Sequence, residues 1–338
     1  MTSARTRPTV TSARVGAAAG RRRGASLRGL YVVWALIALT AVAVFETYWR
    51  IPPAELWKVH NSGFIGGAGR AFVFLSFSPA LAALAILPVV VDRLDNRRAD
   101  LLGLVAAVLC ATVAVPGVQT PSHLDPKWAN LPAVVGVALA FALTVWASHS
   151  GRSDVPRTTR AGDLARLVVG GVAILLSAPY IAAELGFFLD GVPILGWFFQ
   201  TGVVKPEPGG GQLHAAVHHG HHHGMDGLLL TLTALIVSRQ LGTIRRPVLR
   251  TLTALYLALM IVYGLTNLAN DLWIEQVVKR GWTNWEIPEV LQPSLSAAWA
   301  AMIACGLVIY ALWLRPRRER AFQRPVGSTS SIHSDIGT

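Results

Sequence analysis

The chain has few charged residues. Only 14% of its 338 residues are Asp, Glu, Lys or Arg, whereas 53% are hydrophobic. An ordinary soluble domain carries roughly 25% charged residues. With so little polar surface the chain is excluded from the class of water-soluble proteins, and its composition predicts an integral membrane protein.

Cysteine and lysine are scarce as well. The two cysteines, Cys110 and Cys305, both fall inside apolar runs. We therefore expect buried packing residues and no structural disulfide. Of the 30 basic residues, 26 are arginine in an alanine-rich chain, a bias that indicates a bacterial source.

Common catalytic motifs are absent from the sequence. It contains no HExxH motif, no Gly-Lys-Ser/Thr phosphate-binding loop and no GxSxG nucleophile elbow. These absences exclude the usual signatures of zinc proteases, nucleotide hydrolases and serine hydrolases.

Long apolar runs are what the chain does contain. A membrane-crossing helix needs about 20 apolar residues to span roughly 30 Å of hydrocarbon. Eight runs of about this length predict an all-α, polytopic membrane helix bundle with about eight transmembrane helices. The runs are 30–45, 71–91, 101–117, 131–148, 166–188, 214–238, 251–270 and 294–314.

The positions of the basic residues predict the orientation. Connections between the apolar runs alternate between the two sides of the membrane. The two tails and the connections on their side carry 23 of the 30 basic residues, and the connections on the other side carry 7. Basic connections stay in the cytoplasm, so both termini are predicted to be cytoplasmic. The same distribution explains the net charge of +12 without a nucleic-acid partner.

The chain divides into three parts by composition. Residues 1–29 and 315–338 are predicted to be basic or polar, disordered cytoplasmic tails, and 30–314 to be the transmembrane domain. We expect the first apolar run to be retained, because 29 preceding residues are long for a cleaved signal peptide.

A histidine tract occupies 214–227, reads HAAVHHGHHHGMDG and holds six of the ten histidines. Only 14 residues, from Met225 to Ser238, separate it from the basic Arg239. At 1.5 Å per helical residue they span about 21 Å, less than the ~30 Å of a crossing. The tract is therefore predicted to reach the outer edge of the membrane, where polar groups are costly and usually functional.

Helical spacing arranges this tract into two faces. Glycines gather on one face, which would let a neighbouring helix approach closely. Four histidines lie within about 100° of one another on the other face, with His219 and Asp226 beside them. The glycines are Gly220, Gly224 and Gly227, and the histidines are His214, His218, His221 and His222.

Imidazoles four residues apart on a helix can bind one metal ion, and imidazole suits copper and zinc. His214, His218 and His222 are the predicted ligands, with His219 and His221 as alternates. The alternative is a low-complexity tract that binds metal weakly and without specificity.

Further ligands are expected from other segments on the same side. Glu184 is a carboxylate in an apolar run, which is expensive unless it is paired or hydrogen-bonded. Asp226, Asp271 and His60 are the other candidates, although for His60 a solvated loop histidine is the favoured interpretation. Pro79 and Pro179 are predicted to interrupt their helices near this side and open a vestibule.

Three functions fit these features. The first is a transition-metal site, copper or zinc, that takes up, exports, senses or delivers metal from the outer face of the inner membrane. Its partners would be the lipid bilayer and a metal-donating or metal-receiving protein. The second is a membrane-embedded enzyme that uses a metal or haem on a lipid-like substrate. The third is a metal-free, proton-responsive transporter or a structural membrane protein.

Overall fold

Helices make up nearly all of the regular structure in the computed structural model of the chain, so the predicted all-α class is confirmed. Most of the two predicted tails lies outside the described residues. The structure describes residues 27–50, 59–119, 124–150, 162–184, 192–194, 196, 204–206, 213–215, 222–278, 280–288 and 290–316.

The described part contains nine α-helices and one pair of three-residue strands. The strands, β1 (Val204–Pro206) and β2 (Leu213–Ala215), are antiparallel. Two helices, α8 and α9, continue as π-helical turns at Ile274–Val278 and Tyr310–Leu314. The helices are α1 (Arg28–Arg50), α2 (Gly63–Leu75), α3 (Ser78–Leu94), α4 (Arg97–Ala111), α5 (Leu131–His149), α6 (Asp163–Glu184), α7 (His222–Ser238), α8 (Pro247–Trp273) and α9 (Ala297–Ile309).

Five described stretches are long and apolar enough to cross a membrane, and they support a membrane protein. A helix overlaps each of the eight apolar runs, but α4, α6 and α7 are not among these five. The count of eight crossings therefore stays a prediction. The five stretches are Arg28–Arg50, Gly63–Leu94, Trp128–His149, Pro247–Val278 and Ala297–Leu314.

Helix α3 lies at the centre of the bundle and packs against α4, α5, α7 and α8. In the most apolar window of Gly63–Leu94, which spans α2 and α3, 72% of the residues are buried, against 17% at Ala297–Leu314. Alanine supplies much of the buried surface of α3, and such small side chains allow neighbouring helices to approach closely. Cys110 on α4 is buried as expected, but Cys305 lies exposed on α9, so the expectation of burial was wrong there.

The helical structure is interrupted between α2 and α3 at Ser76 and Phe77, and Phe77 lies two residues before Pro79. Ser76 Oγ accepts hydrogen bonds from Gln119 Nε2 at 2.9 Å and Asn130 Nδ2 at 3.0 Å. The interruption predicted at Pro79 is thus confirmed, and a buried polar network holds it. The matching prediction at Pro179 is wrong, because α6 continues through that residue to its end.

Ion pairs join the helix ends at one end of the bundle, which we call the basic end. There the last turn of α3 meets the starts of α4 and α8 through bonds of Arg245 to Asp92 and of Arg246 to Asp100. Arg239 after α7 pairs with Asp163 at the start of α6, 3.0 Å apart. The structure thereby brings together segments that the basic-residue count assigns to one side.

The opposite end, which we call the histidine end, contains the start of α7. Gly224 in the first turn of α7 contacts Asp271 near the end of α8 and Tyr180 near the end of α6. Ser78 at the start of α3 bonds to Asp226 of α7. Four helices therefore meet where the histidine tract enters α7.

Candidate metal centre

Helix α7 begins at His222, so its first two residues are the last two histidines of the tract. The helical spacing predicted for the tract is wrong at its first residue, because His214 lies in β2 opposite Lys205. Histidine and glycine are weak helix formers, and pairing with β1 satisfies backbone groups that a first helical turn leaves open. The helical spacing that grouped His214 with His218 and His222 therefore does not hold at His214.

Several predicted ligands fall outside the described residues. This applies to His218, His219 and His221 entirely, and to the side chains of Glu184, His214 and His222. Their role as metal ligands stays a prediction. Among the candidate ligands, Asp226, Asp271 and His60 have described side chains.

The predicted glycine face of the tract is confirmed at its two described positions. A Cβ placed on Gly227 would lie 2.5 Å from the carbonyl oxygen of Gly264 in α8. One placed on Gly224 would lie 2.7 Å from Asp271 Oδ2 and 2.8 Å from the Tyr180 ring. Only glycine permits this approach, so the face fixes the start of α7 against α6 and α8.

Three buried carboxylates lie in the helices that meet at the histidine end. Asp226 belongs to α7 itself, Asp271 lies in α8, and Glu275 lies in the π-helical turn that follows α8. Burying a carboxylate is expensive unless hydrogen bonds or cations stabilise its charge. Single π-helical turns within longer helices occur often at functional sites. Three such groups at one place therefore mark this end of the bundle as a candidate site.

Hydrogen bonds orient two of these carboxylates. The backbone N–H of Gly224 donates to Asp271 Oδ2 at 2.8 Å, and Ser78 Oγ donates to Asp226 Oδ1 at 2.6 Å. The Gly224 bond satisfies one of the backbone donors that a helix start leaves without a partner inside the helix. Asp271 thus lies within hydrogen-bonding distance of the residue that follows His222 and His223.

Carboxylate oxygens and imidazole nitrogens together form a common ligand set for zinc. In the described part of the chain, no group of three His, Cys, Asp or Glu side chains could hold a metal ion. The carboxylates alone are therefore insufficient. A metal centre here requires imidazoles from the tract, with the carboxylates as additional ligands or as acceptors that orient them.

His60 lies before α2 and bonds to Asp125. Its Nδ1 is 2.5 Å from Asp125 Oδ2, and its backbone N–H donates to Asp125 Oδ1 at 3.1 Å. The side chain is 79% exposed. These contacts resemble those of a metal ligand oriented by a carboxylate, and equally those of a solvated loop histidine.

Sequence reasoning missed Ser78 and Tyr180 and assigned no role to Glu275. Tyr180 follows Pro179 in an apolar run, and a buried tyrosine usually needs a polar partner. Ser78 precedes the proline that begins α3. Both residues could have been singled out as polar groups within apolar runs, which are usually functional or structurally paired.

An apolar groove of about 460 Å³ runs between α1, α6 and α7. Helix α7 lines it with Met225, Leu228, Leu229 and Leu232, and α1 contributes Glu46. Met225 is two residues after His223, so the groove begins next to the last histidine of the tract. Its dimensions and lining suit an acyl chain or another apolar molecule.

The helices and these contacts define a helical membrane protein with buried carboxylates at the histidine end. A comparison of the chain with protein-family models, with curated proteins and with solved structures finds no match.

Proposed function

We propose that the chain is an integral membrane protein that binds copper or zinc at its histidine end and handles that metal by transport, sensing or delivery. His214, His218 and His222 are the proposed ligands, with His219 and His221 as alternates. Carboxylates would complete the coordination or orient the imidazoles. These carboxylates are Asp226, Asp271 and Glu184.

One observation carries this proposal: buried carboxylates from two helices meet the turn that ends the histidine tract. The bond from Gly224 to Asp271 fixes the distance between α7 and the end of α8. Negative charge at that place attracts a cation, and the adjacent imidazoles select a transition metal over calcium or magnesium. Met225, two residues after the last histidine of the tract, adds a thioether and favours copper.

We propose further that the histidine end faces outside and the basic end faces the cytoplasm of a bacterial inner membrane. A periplasm-active reporter fused after Gly210 is expected to be active, and the same reporter fused after Gly242 to be silent. Reporter activity at both sites is compared with the amount of fusion protein. Reversed activities would contradict the proposed orientation and place the histidines in the cytoplasm.

Metal content tests the metal site directly. We expect the full-length chain, purified without a histidine tag, to carry about one copper or zinc ion per molecule by mass spectrometry. Replacing His214, His218 and His222 together with alanine is expected to lower the affinity at least about 100-fold, because the main ligands are lost. Asp271→Asn is expected to lower it about 10-fold, as loss of an orienting group does.

The matched control is His149→Ala at the basic end, which removes a histidine whose Nδ1 contacts the Val145 carbonyl. It should keep the wild-type metal content. Metal far below one ion per chain in both wild type and triple variant would overturn the proposal. An intense visible absorption band in the purified wild type would identify haem in place of a metal ion.

The apolar groove favours a second candidate function, an enzyme that acts on a lipid-like substrate. Its lining includes Met225 and Leu228, so an apolar chain in the groove would have one end near the metal centre. A metal ion there could activate water or polarise a carbonyl group of that substrate. Metal-dependent turnover of such a substrate distinguishes this function from metal handling.

A further inference from the structure

Arg70 is a buried cation in the middle of α2. Its side chain is almost completely removed from solvent, with 3% of the residue exposed. Nη1 donates to the carbonyl oxygen of Leu124 at 3.3 Å, and the guanidinium carbon lies 5.1 Å from the centre of the Tyr48 ring. Nε is buried without a hydrogen-bond acceptor.

The charge of Arg70 has no acidic partner among the described residues. Asp125, which follows Leu124 in the chain, is hydrogen-bonded to His60. A guanidinium has five N–H donors and cannot lose its proton in a protein. One carbonyl and one aromatic ring therefore leave Nε, and with it part of the donor capacity of the guanidinium, without an acceptor.

Leaving a charge buried and uncompensated is costly. A single cation–π contact offsets only part of that cost. An apolar side chain would fill the same place at lower cost. The position of Arg70 therefore indicates a role that needs its charge.

The surroundings of Arg70 form a cradle at the histidine end. Tyr48, near the end of α1, is itself buried and covers one side. The segment with Leu124 covers the other, and it lies close to α2, because a Cβ placed on Gly69 would be 3.1 Å from Pro126 Cδ. Arg70 directly precedes the apolar run 71–91, and basic residues that flank such a run meet the headgroup region of a membrane.

We propose that Arg70 anchors a binding site for a phosphate group, supplied either by a phospholipid headgroup or by free phosphate. The planar guanidinium fork matches two oxygens of a phosphate and forms strong, charge-assisted hydrogen bonds with it. The bound anion supplies the negative charge that the described residues lack. This site does not depend on the proposed metal centre.

Phosphate and lipid binding of the full-length protein test this site. In one arm, detergent-purified protein is titrated with radiolabelled inorganic phosphate. In the other, delipidated protein is offered phosphatidylglycerol, with diacylglycerol as the phosphate-free control lipid. Binding of phosphate in the first arm identifies a soluble ligand, and binding of phosphatidylglycerol alone identifies a headgroup.

Arg70→Met removes the charge but keeps an unbranched side chain, and it is expected to abolish binding in whichever arm the wild type shows it. Arg50→Gln is the matched control, because Arg50 is an exposed arginine at the same end, paired with Glu46. It should bind within about twofold of the wild type, since exposed ion pairs contribute little.

Arg70→Lys keeps the charge and serves if the methionine variant does not fold. We expect about tenfold weaker binding, because an ammonium group lacks the planar fork. The proposal is overturned if the wild type binds neither ligand, if Arg70→Met binds as well as the wild type, or if Arg70→Lys retains full affinity.

Discussion

A Gly227→Val variant is expected to lose roughly 3 kcal/mol of stability, at the upper end of typical overpacking costs. A Cβ at this position would lie 2.5 Å from the carbonyl oxygen of Gly264 and 2.9 Å from the amide nitrogen of Leu268. These are backbone atoms of α8, so no side-chain rotation relieves the clash. Helices α7 and α8 must separate, and the bond from Gly224 to Asp271 is then lengthened as well.

The loss is measured as a fall in the apparent melting temperature of the detergent-solubilised protein, roughly 10 °C for this free energy. The matched control is Gly171→Val in α6, where an added Cβ has no atom within 4 Å. That variant should stay within about 0.5 kcal/mol of the wild type, as surface substitutions usually do. Equal melting temperatures for the two variants would contradict the glycine contact between α7 and α8.

The glycine contact was predictable from the sequence because it depends only on helical spacing. Gly224 and Gly227 lie on one face of any helix that contains both, and small residues in a membrane helix favour close packing. The approximate positions of the helices that overlap the eight apolar runs were also predictable, since each membrane helix needs its own apolar stretch. Which helix packs on the glycine face does not follow from such a pattern.

The start of α7 could not be predicted in this way. Helical spacing extends through the tract without a break, but the structure has β2 at His214, paired with a segment nine residues earlier in the chain. Competition between a weak helix and a short hairpin depends on packing around both. The sequence pattern records only the helical alternative.

Contacts between residues far apart in the chain could not be predicted from the sequence either. Ser76 bonds to side chains 43 and 54 residues away, and Tyr180 meets Gly224 only because α6 packs beside α7. A polar residue in an apolar run signals that a partner exists. Its identity depends on how the helices are arranged, so the carboxylates could be suggested as ligands but not placed together.

An Asp92→Asn variant is expected to lose about 3 kcal/mol of folding stability, as proteins do when a buried charged pair is broken. Asp92 is buried near the end of α3, where Oδ2 accepts from the backbone N–H of Arg245 at 3.0 Å and from its Nε at 3.3 Å. Oδ1 accepts from the backbone N–H of Arg246 at 3.2 Å. In asparagine an NH2 group replaces either Oδ1 or Oδ2, and it then faces an N–H donor. One N–H group of Arg245 or Arg246 therefore loses its acceptor.

The same carboxylate stabilises the positive charge of Arg245. Burial alone would lower the pKa of Arg245, but hydrogen bonds with Asp92 and Asp95 outweigh it and raise that pKa above its usual range. A guanidinium does not lose its proton in a protein, so Arg245 stays charged in the variant. With Asp92 neutral, its partly buried guanidinium keeps only the partly exposed Asp95 as a carboxylate partner.

Asp95→Asn makes the same change three residues away and serves as the matched control. Its side chain is 46% exposed, so its pairing with Arg245 is screened by water and worth less than about 1 kcal/mol. Asparagine also tolerates the left-handed backbone that Asp95 adopts, with φ of 53°. The two variants should respond differently to salt, since 1 M salt screens the exposed pair and leaves the buried one nearly unchanged. Similar losses in thermal stability for both variants, each removed by salt, would show that the basic end is held by surface charge and not by the buried carboxylate of Asp92.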